Sequence, residues 1–148
     1  MKKVLVMVVL SVVLSINLFA AFNVVNIEDE FGEITNYKVA AGWDTLNSTA
    51  IRFDGDEYID ILFNADYVMT DEDWGVVKFR DEKGNIVQYY FYFENGDMAT
   101  LEGEEVAELE DFFKKANFVS ISIVDYKGRT WNCKFDASGF TKALNSIK

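Results

Sequence analysis

Histidine is absent from the 148 residues, and cysteine occurs once, as Cys133. Without histidine the chain lacks the commonest general base and metal ligand, which excludes Ser-His-Asp and Cys-His catalytic arrangements and histidine-bound zinc. A lone cysteine cannot close an internal disulfide, so the fold must hold by packing alone. Nor is there a cysteine near the amino terminus to carry a lipid. Cys133 shares its alternation with Trp131 and Phe135, which reads as a small apolar core residue and not a nucleophile.

Positive charge is also scarce. Lysine and arginine number 14 against 25 acidic residues, a formal net charge of -11, and the arginines are Arg52, Arg80 and Arg129. Such a surface repels phosphate backbones and anionic lipid, so nucleic acid is not an expected partner. The acidity itself is explained by solubility.

The amino terminus departs from this pattern. Lys2 and Lys3 precede an apolar run from Val4 to Leu14 broken by Ser11, and a more polar stretch follows that ends in Ala20 and Ala21. This is the order of a secretory signal, with cleavage expected after Ala20. The competing reading is an uncleaved anchor. Against it, Ser11, Ser15 and Asn17 interrupt the run and no basic cluster follows it. The expected organisation is a signal peptide over 1–20 and one β-rich domain over 21–148, periplasmic or extracellular, with no membrane insertion of the mature chain. Loss of Lys2 and Lys3 moves the charge to -13, since no acid lies in the segment.

From Phe22 onward the apolar residues repeat every second position, the period of a strand with one buried face. Ile59, Ile61 and Phe63 alternate with Tyr58, Asp60 and Asn64. Val87, Tyr89, Phe91 and Phe93 alternate with Gln88, Tyr90, Tyr92 and Glu94. Val119, Ile121 and Ile123 alternate with Ser120 and Ser122. Asp29-Glu30-Phe31-Gly32, Asp81-Glu82-Lys83-Gly84 and Asp125-Tyr126-Lys127-Gly128 read as hairpin turns, with Asp accepting backbone N–H bonds and Gly tolerating a positive φ. Asp54-Gly55 and Asn95-Gly96 are two further tight-turn signals.

The resulting layout has strands near 22–28, 33–41, 48–54, 57–64, 74–81, 85–93, 97–101, 118–125 and 129–136. Helices are expected near 104–116 and 138–147. Val106, Leu109, Phe113 and Ala116 form the apolar stripe of the first, with Glu110–Lys114 and Asp111–Lys115 as i,i+4 pairs. Phe140, Ala143, Leu144 and Ile147 form that of the second, with Asp136 or Ser138 as its N-cap. The fold class is mainly β: an antiparallel sandwich or partly closed barrel of about nine strands with two short helices.

Carboxylates are dense at Glu28-Asp29-Glu30, Asp54-Gly55-Asp56-Glu57 and Asp71-Glu72-Asp73, yet none forms the twelve-residue loop of a calcium site, and solvated turns account for them. No metal or other cofactor is expected. Most aromatic residues lie at inward positions. The exceptions are Trp74, Tyr90 and Tyr92, which share an outward row with Lys78 and Arg80. That row is the candidate binding surface unless a helix, that near 104–116 above all, covers it. The function expected is a non-catalytic exported binding or protein-interaction module for an unknown protein or small ligand. The alternatives are a structural or assembly component of a cell-envelope complex and, behind it, a carboxylate-based hydrolase.

Overall fold

A computed structural model describes residues 22–29, 31–44, 49–63, 73–94, 98–124 and 127–148. The expected signal segment over 1–20, the turn signal at Asn95-Gly96, most of the acidic connection over 65–73, and Asp125 and Tyr126 of the third expected Asp-led turn lie outside the described residues.

Nine strands follow the alternation of the sequence: β1 (Asn23–Glu28), β2 (Ile34–Asp44), β3 (Thr49–Phe53), β4 (Tyr58–Phe63), β5 (Asp73–Asp81), β6 (Ile86–Glu94), β7 (Met98–Glu102), β8 (Phe118–Val124) and β9 (Thr130–Asp136). They form one antiparallel sheet in the order β1-β2-β3-β4-β7-β6-β5-β8-β9. The single long-range rearrangement inserts β7 between β4 and β6, so the hairpin β5–β6 reaches β8 by its other edge.

The sheet does not close into a barrel, but it curls until its two ends meet across the core in the manner of a sandwich. Trp131 of β9 donates its indole N–H to Thr49 Oγ1 of β3 at 3.3 Å and packs edge-on against Phe63 of β4, centroids 6.1 Å apart. The buried Asp44 carboxylate, at the end of β2, accepts the Lys134 backbone N–H of β9 at 2.7 Å. A side chain thus satisfies a donor on the open edge, where an unpaired buried N–H would be costly.

The concave face holds the core, as the period of two requires. Ile51, Phe53, Ile59, Ile61, Val77, Phe79, Phe91, Phe93, Val119, Ile121 and Phe135 are all buried. Two helices fill its mouth: α1 (Glu105–Lys115) and α2 (Phe140–Asn145). Phe113 of α1 meets Phe53 of β3, Phe79 of β5 and Phe140 of α2 at centroid distances of 5.0, 6.2 and 5.4 Å, so one ring ties both halves of the sheet to both helices.

The turns led by Asp29 and Asp81 form as read. Asp29 Oδ1 accepts the N–H groups of Phe31 and Glu33, Asp81 Oδ1 accepts those of Lys83 and Asn85, and Gly32, Gly84 and Gly128 all have positive φ. The Asn85 side-chain amide, aided by those backbone donors, holds the Asp81 carboxyl below the usual carboxylate range.

Three local expectations are corrected. Strand β2 continues to Asp44, three residues beyond the end read from the sequence, because it goes on pairing with β3 through Thr49. The i,i+4 pairs of α1 do not form: Lys114 bonds Asp111 one position nearer, at 3.0 Å, and Glu110 turns inward to meet Lys148 at 2.9 Å. Neither Asp136 nor Ser138 caps α2. Gly139 occupies the N-cap position in a left-handed conformation, and Asp136 accepts the Ser138 N–H instead.

Candidate functional site

Alternation on β5 and β6 carries the candidate aromatics to the convex face. Helix α1 does not cover them: its stripe of Val106, Leu109 and Phe113 is committed to the core. Trp74 and Tyr90 therefore remain 61% and 62% exposed. Strand register sets Trp74 directly opposite Tyr92 and Val76 opposite Tyr90. The Trp74 and Tyr92 rings lie 5.3 Å apart with their planes inclined at 59°.

The row continues across three more strands. Tyr92 faces Thr100, Thr100 faces Asp60, and Asp60 faces Arg52. Thr100 Oγ1 donates to Asp60 Oδ1 at 2.7 Å, and Arg52 Nε donates to Asp60 Oδ2 at 2.8 Å. Asp60 is only 3% exposed although it belongs to the convex face, a burial made tolerable by the charge partner and the hydroxyl. This arrangement consumes Arg52 and fixes the rotamer of Thr100 beneath the aromatic pair.

Trp74, Tyr90, Tyr92 and Thr100 line a groove of about 580 Å3 whose remaining walls are Glu94, Glu102 and Glu105. Among the described residues, none of these three glutamates forms an ion pair. The groove therefore combines exposed ring faces with uncompensated negative charge, the chemistry that receives a cation.

Lys78 and Arg80 share the convex face but belong to a different depression. Together with Ser120, Ser122, Asn132 and Lys134 they line a hollow of about 500 Å3 over β5, β8 and β9. The sequence grouped them with the aromatics because parity identifies a face and not the neighbours on it. Glu102 and Glu105 were missed at the groove, although the turn signal at Asn95-Gly96, read with the alternation, would have set β7 beside β6.

Further exposed aromatics were also missed. Tyr37, Trp43 and Phe118 are partly or largely exposed, and the Tyr37 hydroxyl bonds that of Tyr58. Trp43 emerges because β2 runs past its expected end. Cys133 is buried as read. Burial, with the Asp44 charge adding to it, pushes its thiol up to about 12 and keeps it neutral. Among the described residues no three carboxylate or thiol side chains gather as a metal site would require, and no helix is long and apolar enough to cross a membrane.

Among solved structures, the chain is similar to invasion associated protein B from Bartonella henselae, with a TM-score of 0.45 and 8% identity over 84% of this chain and 81% of that one. No family model and no curated protein matches it.

Proposed function

We propose that the chain is an exported, non-catalytic binding module whose convex groove receives a cationic group, specifically a lysine- or arginine-bearing segment of a partner protein. The observation that carries this reading is the lining of the groove by Trp74, Tyr90 and Tyr92 together with three glutamates that have no basic partner among the described residues. Ring faces attract an ammonium or guanidinium group through their quadrupole, and the carboxylates supply the charge-assisted bonds that orient it. Rigid aromatic side chains also offer a large contact area at small cost in rotamer freedom. Export is supported by Lys2-Lys3 followed by the apolar run to Leu14. The absence of histidine and the neutral thiol of Cys133 favour binding over catalysis.

Isothermal titration of residues 21–148 with a pentalysine peptide tests the groove. The parent is expected to bind saturably. The Tyr90→Ser, Tyr92→Ser variant, which keeps every carboxylate, is expected to bind about tenfold more weakly, since two cation–π contacts are together worth about 1 to 2 kcal/mol. Equal binding by parent and variant would show attraction to the acidic surface as a whole and would contradict the groove.

A further inference from the structure

We infer that the second hollow on the convex face is a binding site for a phosphate or sulfate ester of a small organic ligand. Pairing of β5 with β8 and of β8 with β9 puts Arg80, Ser120 and Lys134 in one row and Lys78, Ser122 and Asn132 in the next. The residues between them, Phe79, Ile121 and Cys133, are buried, so both rows stand outward. Neighbouring rows and strands are separated by about 5 to 7 Å. The cations therefore surround a floor of two small hydroxyl residues, and the hollow exists because serines lie between longer side chains.

The acids nearby are committed to other donors. Asp81 is occupied by the N–H groups of its own turn and the Asn85 amide, and Glu82 by the Asn117 backbone and side chain and the Phe118 N–H. Asp44, which lines the hollow's edge, accepts the Lys134 backbone N–H. Among the described residues, Lys78 and Arg80 have neither an ion pair nor a side-chain hydrogen bond. The Lys134 ammonium is held 4.6 Å above the Phe118 ring, beside a contiguous depression that shares Arg80, Ser120 and Lys134. In a chain with a net charge of -11, three basic side chains are thus collected at one point and left without carboxylate partners.

A guanidinium fork, two ammonium groups and serine hydroxyls match the donor requirements of a tetrahedral oxyanion. An extended polyanion would meet the negative field of the remaining surface, which restricts the occupant to a small ligand. Ile86 and Phe118, 62% and 41% exposed at the borders of the two depressions, supply apolar contact that a free inorganic anion could not use. The site is independent of the aromatic groove.

The test is a titration of 15N-labelled residues 21–148 with phenyl phosphate and, separately, with inorganic phosphate, followed by amide shifts in the two-dimensional NMR spectrum. Phenyl phosphate should produce saturable shifts centred on residues 120–122 and 132–134 and should bind several-fold more tightly than inorganic phosphate. The Lys78→Gln, Arg80→Gln variant should bind at least about tenfold more weakly, through the loss of two charge-assisted bonds. A Lys114→Gln, Lys115→Gln control on α1 should bind as the parent does. Unchanged signals from core residues establish that each variant is folded. Non-saturating shifts, equal weakening in both variants, or inorganic phosphate binding as tightly as the ester would each overturn the assignment.

Discussion

Gly75 has no positive φ to accommodate, yet the packing around it leaves no room for a side chain. A Cβ there would stand 2.6 Å from Phe93 Cε2, inside any real carbon contact. Phe93 is fully buried and stacks at 6.2 Å on Phe63, on the same face of the sheet with β7 between their strands, so its ring can give way only by disturbing a second ring. Gly75→Val is expected to cost about 1 to 3 kcal/mol, the usual penalty of overpacking. Urea denaturation measures it, and an unchanged midpoint would mean that Phe93 is free to shift. Glu110 presents a different single-residue tension. Lys148 bonds one of its oxygens while the other is buried with no hydrogen-bond partner among the described residues. An acid on a helix that also carries Lys114 invites a local pairing, but the partner came from the far end of the chain.

Among the elements, the β5–β6 hairpin is the most completely determined by local chemistry. Asp81 organises the backbone of the turn, and Gly84 takes a φ of 89° with nothing within 4 Å of a Cβ built on it. Gly128 is likewise open and has a φ of 76°. At both positions a side chain would meet only conformational strain. Gly84→Val and Gly128→Val should each lower stability by about 1 kcal/mol or more, because a β-branched residue resists positive φ. Unchanged thermal melts in both would remove the turn assignment.

Strands and turns were legible because both signals are local: a period of two, and Asp with Gly three positions later. The α1 stripe was legible for the same reason, with Val106, Leu109 and Phe113 all buried. What could not be read was the meeting of distant segments. Lys78 and Arg80 were assigned to the correct face, but their neighbours Ser120, Ser122 and Lys134 arrive through strand pairings 40 or more residues away in sequence. The pairing of half-buried Arg52 with buried Asp60 was equally hidden. Asp60 alternates outward like any solvated residue, and only Thr100 on a third strand completes its environment.

Across the whole molecule the sheet divides the side chains into two populations with different tasks. The concave face and both helices are spent on one core, in which Phe22, Phe53, Phe113 and Phe140 contact one another. The convex face is left to carry two chemically opposite hollows on an acidic molecule: rings and glutamates over β5, β6 and β7, and basic residues and serines over β5, β8 and β9. The proposed binding of a cationic partner stands on the outward position of Tyr90 and Tyr92. Thermal melting of residues 21–148 carrying Tyr90→Ser and Tyr92→Ser, beside Phe91→Ala, tests that position most directly. The double tyrosine variant should lose no more than about 1.5 kcal/mol, mainly the Trp74–Tyr92 ring contact. Phe91→Ala, made between them on the same strand, should lose about 3 to 5 kcal/mol by opening a cavity in the core. A loss from the tyrosine pair as large as that from Phe91 would mean that those rings are buried, and the binding face would not exist.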